Sequence, residues 1–203
     1  LIPEFELGLW NAWIITVLGF LTMGGGLFPI FLINNKTIRK RIGKSTAWSE
    51  FSKTQKIVTL ITHFLIMPFT IVYSIFLPLK LGTVWFYIGI PICLLALVMG
   101  IMAGVAFATA PLDELINKGV YRISRHPMYF GGFLEYVGIG IASASWIFLL
   151  CAAVWIITWR IGVVNEERSL IEKYGNAYRE YMNRTPRWIG IPKSDDMLGS
   201  PSP

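Results

Sequence analysis

The sequence predicts an all-α, polytopic membrane protein with five transmembrane helices, an N-terminus outside the cell and a cytoplasmic amphipathic helix near the C-terminus. Hydrophobic residues make up 54% of the 203 residues and charged residues only 15%, whereas a soluble domain carries about a quarter charged residues. The hydrophobic residues fall into blocks of about twenty, the length that crosses the hydrocarbon core of a bilayer. Lys and Arg cluster beside these blocks, as they do in cytoplasmic loops.

The first apolar block runs from about Leu9 to Ile33 and contains Gly24-Gly25-Gly26, which permits close helix packing or a local break. A basic stretch follows, in which Glu50 is the one acid. Its basic residues are Lys36, Arg39, Lys40, Arg41, Lys44, Lys53 and Lys56. This is the strongest positive-inside signal in the chain, so we expect the stretch in the cytoplasm and the N-terminus on the other side.

Two further blocks form a helical hairpin. They cover about Ile57 to Leu79 and about Thr83 to Ala108, with only Lys80-Leu81-Gly82 between them. Pro68 and Pro78 are expected to kink the first of the two. The hairpin returns the chain to the cytoplasm near Pro111.

The last apolar stretch, from about Met128 to Val164, is too long for one span. We expect it to break near Ser143-Ala144-Ser145 into a fourth and a fifth span. With five spans, every segment rich in Lys and Arg falls on the same side of the membrane. Charge and apolar length therefore predict the same topology.

The segment from Asn165 to Asn183 is predicted to form the amphipathic helix, because apolar and aromatic side chains recur at helical spacing and Pro186 follows. We expect one membrane domain over residues 1–193, with two N-terminal spans at about 9–79 and a catalytic region at about 83–192. Residues 194–203 are expected to be a polar tail. The net charge of +6 favours anionic lipid headgroups over nucleic acid as the counter-charge.

One candidate chemical cluster runs from Tyr121 to Tyr129. Arg125 and His126 offer hydrogen-bond donors for an anionic group, and Pro127 marks a helix start whose free N–H groups add to them. The same residues also suit an ordinary helix start at the headgroup level, with Tyr129 in the aromatic belt. Both readings stay open on the sequence alone.

A second cluster, Asn165-Glu166-Glu167, follows the fifth span. Asn165 is a good N-cap and acids suit a first helical turn, but a carboxylate there can also accept hydrogen bonds from a ribose diol or pair with an ammonium group. Glu135, inside the fourth span, is a functional candidate or a partner for a neighbouring helix. No set of His, Cys and carboxylate residues has metal-ligand spacing, so we expect no metal site.

Together the two clusters resemble the family of isoprenylcysteine carboxyl methyltransferases and phospholipid methyltransferases. The resembling region is about Pro111 to Ile191. Its motifs are Leu115-Ile116, Gly119-Val120-Tyr121, Arg125-His126-Pro127-Met128-Tyr129 with Gly131, Glu166-Glu167 with Leu170, Tyr174-Gly175, Tyr178, Tyr181 and Pro186-Arg187-Trp188.

The resemblance implies a multi-pass membrane enzyme that uses S-adenosylmethionine, releases S-adenosylhomocysteine and binds the cofactor at the cytoplasmic ends of the last helices. The implied cofactor contacts are Asp113, Glu114, Leu115, Ile116, Tyr121, His126, Pro127, Met128, Tyr129 and Glu166. The catalytic candidates are Glu166, Glu167 and Arg125. The implied partners are membrane lipids and a lipophilic or lipid-modified substrate; the oligomeric state stays open.

One position departs from the family. Members that methylate prenylcysteine carry a substrate-binding arginine four residues before the cofactor-contacting glutamate, and Gly162 stands there in this sequence. The expected reaction is therefore methyl transfer to a lipophilic acceptor, most like isoprenylcysteine carboxyl O-methylation, with phospholipid N-methylation as the alternative. A membrane reductase that uses NADPH, as sterol reductases do, and a non-catalytic helical scaffold are the rivals from other classes.

Overall fold

The computed structural model describes residues 5–23, 53–111 and 114–193, and every regular element in these ranges is helical. The helices are α1 (Trp13–Met23), α2 (Lys53–Ile61), α3 (Met67–Ile75), α4 (Val84–Thr109), α5 (Pro127–Ala142), α6 (Trp146–Tyr174) and α7 (Asn176–Arg184). A π-helical turn (Thr62–Ile66) joins α2 to α3, and a 3-10 turn (Gly119–Arg122) precedes α5. The predicted all-α class is confirmed for these residues.

Several predicted features fall elsewhere in the chain. The three glycines at 24–26, the basic residues from Lys36 to Lys44 and the predicted polar tail lie outside the described residues.

Two described helices, α4 and α6, are long and apolar enough to cross a membrane. At 1.5 Å per residue, the 26 residues of α4 extend about 39 Å and the 29 residues of α6 about 43 Å. A hydrocarbon core is about 30 Å thick, so roughly twenty residues of α6 suffice to cross it. The last turns of α6, which contain Glu166 and Glu167, extend past that length.

The outer surface of α4 is apolar. Leu94, Leu95, Val98, Ile101 and Met102 are each between 43% and 56% exposed. Soluble proteins rarely expose a continuous apolar surface of this kind, whereas lipid-facing helices require one. The surface of α4 therefore suits contact with acyl chains.

The inner surface of α4 is built from small residues that let α5 approach closely. A Cβ atom on Gly89 would lie 2.4 Å from the backbone nitrogen of Ala142, and one on Gly138 would lie 2.5 Å from Sγ of Cys93. Small residues at a helix crossing are how membrane helices gain packing energy without a hydrophobic driving force between them. This crossing fixes α5, and with it the residues at its N-terminus.

The ends of the helices separate into two groups. At one end, Ala12 donates its backbone N–H to the Leu77 carbonyl oxygen (2.9 Å), and Lys80 donates to the Ala142 carbonyl oxygen (2.9 Å). The Tyr73 hydroxyl contacts Ser145 Oγ at 3.0 Å at the same end. The loop after α4, the start of α5 and the C-terminal part of α6 lie at the other end.

The predicted break of the last apolar stretch near Ser143-Ala144-Ser145 is confirmed. Helix α5 ends at Ala142, Ala144 adopts a positive φ of 51°, and the Ser145 side chain accepts a hydrogen bond from the Phe148 N–H as the N-cap of α6. The third span, predicted at about 83–108, corresponds to α4.

Two predicted boundaries are wrong. The second apolar helix ends at Ile75, not Leu79, because the backbone of residues 77–79 bonds to the N-terminal segment instead of continuing the helix. The amphipathic helix does not begin at Asn165, because α6 runs unbroken through that residue and Asn165 donates its side-chain amide to the Ile161 carbonyl oxygen. The break comes at Gly175, whose φ of +57° favours glycine, and α7 follows.

Candidate functional site

The candidate site lies where the N-terminus of α5 meets the C-terminal part of α6. Pro127 is the first residue of α5, where its fixed φ and missing N–H are both tolerated. His126 precedes it with φ −130° and ψ 58°, and its backbone N–H donates to Ser124 Oγ (3.2 Å). This local geometry turns the His126 ring toward α6, where Glu166 and Glu167 lie at consecutive positions.

Glu167 is the centre of the site. It is only 3% exposed, yet three cationic or potentially cationic side chains surround its carboxylate. Arg187 donates from Nε to Oε1 (3.2 Å) and from Nη2 to Oε2 (2.6 Å), a two-point contact that fixes both groups. His126 Nε2 lies 3.2 Å from Oε1, and Arg125 Nη1 lies 3.3 Å from the same oxygen.

The surroundings of Glu167 control its pKa. Burial would raise the pKa of this carboxyl, but hydrogen bonds from His126 and Arg187 and the charge of Arg125 outweigh burial and lower the pKa to about 2. Glu167 is therefore ionised at any physiological pH. An ionised carboxylate accepts hydrogen bonds only, so His126 Nε2 carries the proton in this contact.

The side chain of Glu166 lies in a more exposed environment than the side chain of Glu167. Its side chain is 43% exposed, and the Tyr129 hydroxyl donates to Oε2 at 2.9 Å. His126 Nδ1 lies 3.6 Å from the same oxygen. Glu166 therefore presents a half-exposed carboxylate that is fixed by one hydrogen bond.

Aromatic rings continue from this cluster. The His126 and Tyr129 rings stack with centroids 5.7 Å apart, and the Tyr129 ring stacks on Trp159 at 4.2 Å. The Trp155 ring is tilted against Trp159 with centroids 5.3 Å apart, and Trp155 donates its indole N–H to the Tyr129 carbonyl oxygen (3.2 Å). The carboxylate of Glu166 thus stands beside a group of electron-rich faces, which attract cations.

The loop before α5 is held by the C-terminal segment of the described chain. Arg125 donates its backbone N–H to the Pro186 carbonyl oxygen (3.0 Å), and Gly190 donates to the Ile123 carbonyl oxygen (3.0 Å). Ser124 is fully buried between them, with its Oγ 3.5 Å from the Arg187 carbonyl oxygen. This segment delivers the Arg187 side chain to Glu167.

A cavity of about 480 Å³ opens beside this loop. Glu114, Leu115 and Ile116 line one side of it, and Ala177 and Glu180 of α7 line another. Two tyrosine hydroxyls bond to the backbone of the segment between α4 and α5: Tyr174 donates to the Glu114 carbonyl oxygen (3.3 Å) and Tyr181 to the Tyr121 carbonyl oxygen (2.6 Å).

The residues predicted for the site fall into three groups. Arg125, His126, Tyr129, Glu166 and Glu167 are in mutual contact. Glu114, Leu115 and Ile116 line the cavity, whereas Tyr121 does not line it and accepts a hydrogen bond from Tyr181 through its carbonyl oxygen. Pro127 is buried and Met128 packs against Met99, Ala103 and Val120, so these two support the site from behind. Asp113 lies outside the described residues.

Glu135 does not join the cluster. It lies nine residues after His126 along α5, about 13 Å deeper at the rise of an α-helix. Its carboxyl group packs against the backbone of Gly19, where any Cβ atom would lie 1.9 Å from it.

Sequence reasoning missed the two residues that complete the cluster. Arg187 stood only as part of a motif, although it makes the shortest contact to Glu167. Trp159 was not singled out, although Trp155, Trp159 and Glu166 recur on one face of α6 at helical spacing and could have been found from that pattern.

Comparison with known proteins finds a matching family and several relatives over part of the chain. Residues 81–177 match the profile of the family described as phospholipid methyltransferase. The protein-S-isoprenylcysteine O-methyltransferase of Dictyostelium discoideum is 33% identical over 89 residues, covering 38% of this chain and 32% of the relative. The enzyme of the same name, form B, from Arabidopsis thaliana is 34% identical over 82 residues, covering 39% of this chain and 40% of the relative.

A relative with a different name also matches part of the chain. Methanethiol S-methyltransferase 1 of Bradyrhizobium diazoefficiens is 37% identical over 70 residues, covering 34% of this chain and 24% of the relative. The matches thus span less than half the length of these curated relatives. Residues 81–177 are therefore similar to phospholipid methyltransferases, and part of the chain is similar to enzymes named as isoprenylcysteine O-methyltransferases.

Proposed function

We propose that this protein transfers a methyl group from S-adenosylmethionine to a lipophilic acceptor at the cytoplasmic face of a membrane. The observation that carries the proposal is the cluster of Arg125, His126, Tyr129 and Glu166 at the end of an apolar helical bundle. Its support from outside the structure is that relatives sharing this region are named as methyltransferases.

The residues present fit the cofactor's chemistry. S-adenosylmethionine combines a carboxylate, an ammonium group, a sulfonium cation and a nucleoside. Arg125 Nε is buried and has no hydrogen-bond partner among the described residues, so it suits the carboxylate. The faces of Tyr129 or Tyr121 suit the sulfonium, and Glu166 suits the ribose diol or the ammonium group.

The cavity supplies room for the rest of the molecule. Leu115 and Ile116 give it apolar walls suited to an adenine ring, and Glu114 adds a polar edge. A volume of about 480 Å³ lies within the range of pockets that bind small molecules.

Bound in this way, S-adenosylmethionine would supply an electrophilic methyl carbon on its sulfonium. In-line transfer of that carbon to an acceptor atom would break the carbon–sulfur bond and leave its electron pair on sulfur. The protein's part is alignment and exclusion of water. A carboxylate or thiolate acceptor needs no base, whereas an amine acceptor also releases a proton, for which Glu166 is the half-exposed carboxylate at hand.

We assign Glu167 a positioning role. Both of its oxygens are already engaged by Arg187, and Oε1 is also in contact with His126 and Arg125. A carboxylate with a pKa of about 2 is also a poor proton acceptor near neutral pH. Its effect on the reaction would therefore pass through the orientation of His126 and Arg125.

The proposed topology has five spans with the site in the cytoplasm. Beyond α4 and α6, helical backbone continues from Lys53 through the π-helical turn to Ile75, 23 residues that extend about 35 Å. Helices α1 and α5 are apolar and complete the set. The end that contains Arg125 and Arg187 would face the cytoplasm under the positive-inside rule.

The leading acceptor is an isoprenylcysteine carboxylate, and a phospholipid amine is the second candidate. Gly162 leaves both acceptors as candidates. The position carries no cation, and the atom nearest to an added Cβ is in the Trp159 ring at 3.5 Å. An acceptor carboxylate would then lack the arginine that the resemblance implies for prenylcysteine enzymes.

The test is methyl transfer from labelled S-adenosylmethionine to S-farnesylcysteine and to phosphatidylethanolamine, with the purified protein in detergent. We expect label in one of these acceptors and at least about a tenfold loss in Glu166→Gln, since a charge-assisted contact contributes about 1.5–3 kcal/mol. Glu172→Gln, an exposed position of the same helix, is the matched control and should keep full activity. Equal rates in Glu166→Gln and the wild-type protein would contradict the site assignment.

A further inference from the structure

A second cavity, of about 490 Å³, lies beside the first and has a different character. Three basic side chains from three separate segments line it: Arg122 at the end of the 3-10 turn, Arg184 at the end of α7, and Lys193. Glu180 is the one acidic residue among its lining residues. The methyl-transfer proposal uses none of the three basic residues.

The backbone around this basic cavity is fixed by hydrogen bonds. Lys193 donates its N–H to the Arg184 carbonyl oxygen (2.9 Å), which closes one side. The Tyr181 hydroxyl bonds to the Tyr121 carbonyl oxygen (2.6 Å), which holds the 3-10 turn against α7. These hydrogen bonds therefore hold the segments of the three basic residues next to one another.

Exposed apolar side chains flank the basic cavity. Ile123 is 38% exposed, Ile189 50% and Ile191 90%, and the bond from the Gly190 N–H to the Ile123 carbonyl oxygen (3.0 Å) places their two segments side by side. Large aliphatic side chains at this level of exposure are unfavourable in water but suit the boundary between headgroups and acyl chains. Arg122 lies five residues before Pro127, where the apolar helix α5 begins, so this surface belongs at the same end of the bundle.

We infer that the basic cavity binds the phosphate headgroup of an anionic membrane lipid, with the three isoleucines in contact with its acyl chains. Arg and Lys side chains suit a phosphate, and adjacent apolar side chains distinguish a lipid from free phosphate. This inference goes beyond the methyl-transfer proposal and does not depend on it, because a lipid bound here stands outside the cluster around Glu167.

The test is native mass spectrometry of the full chain, released from detergent with phosphatidylglycerol, phosphatidylcholine or inorganic phosphate. We expect phosphatidylglycerol to bind most tightly, and Arg122→Gln with Lys193→Gln to weaken it about tenfold or more. Arg122→Lys should retain binding, and Arg179→Gln, a basic residue of α7 outside the cavity, should leave it unchanged.

The apolar part of the surface has its own test. Ile189→Ser with Ile191→Ser should weaken phosphatidylglycerol binding and leave any binding of inorganic phosphate as it is. Equal affinity for phosphatidylcholine, equal affinity for free phosphate, or no loss in the double glutamine variant would each overturn the inference. Binding of S-adenosylhomocysteine, measured in the same variants, should not change, so failure here is distinguishable from failure of the methyl-transfer proposal.

Discussion

Two buried glutamates of this protein lie in opposite environments. Glu167 is 3% exposed and Glu135 is 6% exposed, so both are withdrawn from water to nearly the same degree. Glu167 is surrounded by Arg125, His126 and Arg187 at the end of the bundle. Glu135 lies in the interior against Gly19, and no ion pair or hydrogen bond is found for its side chain among the described residues.

The difference shows that the end of the bundle and its interior accommodate a buried carboxyl group in different ways. Cations at the end of the bundle make Glu167 part of a rigid polar cluster that orients His126. In the interior, Gly19 leaves the space that the carboxyl group of Glu135 fills.

Removing the carboxylate of Glu167 is the strongest way to test this contrast. We expect Glu167→Ala to lower stability by about 3–5 kcal/mol, because Arg125 would stay buried without its counter-charge and His126 without its hydrogen-bond acceptor. The measurement is thermal or denaturant unfolding in detergent. Glu172→Ala, exposed on the same helix, should change stability by less than about 0.5 kcal/mol, and a loss that small in Glu167→Ala would contradict the central role of this residue.

The pH dependence of stability gives a second test of the same cluster. The pKa of Glu167 is about 2 in the folded protein and about 4.5 in an exposed chain, so its contribution is complete above about pH 4.5 and is lost as the pH falls toward about 2. The stability difference between the wild-type protein and Glu167→Gln should therefore be constant from about pH 5 to neutral and shrink in more acidic solution. A difference that grows on acidification would have the wrong sign.

The fit of Glu135 against Gly19 is tested by adding a methyl group. We expect Gly19→Ala to cost about 1–2 kcal/mol, because the new Cβ atom would overlap the carboxyl group and force it to move. The cost should largely disappear when Glu135→Ala is also present, and the double-mutant cycle measures that coupling. Additive effects of the two substitutions would show that they do not meet.

The smallest effect is expected at Glu135 itself. Glu135→Gln keeps the shape of the side chain and has no ion pair to break among the described residues, so stability should change by less than about 1 kcal/mol. Unfolding measured beside Glu167→Gln sharpens the comparison, because the same chemical change should be costly at one glutamate and nearly neutral at the other. A large loss at Glu135 would point to a partner for it in the remainder of the chain.

Much of the fold could be predicted because the length and composition of an apolar block indicate a helix that can cross a membrane. Helix α4 was placed within one residue at each end, and the break near Ser143-Ala144-Ser145 followed from the excess length of the last apolar stretch. The end of α3 could not be predicted, since it depends on hydrogen bonds between residues 77–79 and the N-terminal segment, which are distant in sequence. The unbroken course of α6 past Asn165 was missed because an asparagine suits both a cap and a helix interior, while Gly175 was the stronger signal.

The residue types indicated which residues form the candidate site better than they indicated what each residue does there. The two candidate clusters Tyr121–Tyr129 and Asn165–Glu167 lie together in the structure, joined by the contacts of His126 with both glutamates. The resemblance separates Glu166, as an implied cofactor contact, from Glu167, but the residue types do not show that only Glu167 faces Arg187. That arginine arrives from a segment 20 residues away, after the turn at Gly175.

The most direct test of the central claim is calorimetric titration of the purified protein with S-adenosylhomocysteine, with NADPH as the comparison ligand. The account predicts saturable binding of S-adenosylhomocysteine that is lost or weakened at least about tenfold in His126→Ala, and no binding of NADPH. Binding of NADPH alone would assign the chain to the reductase class, and binding of neither ligand would leave a helical scaffold as the better description.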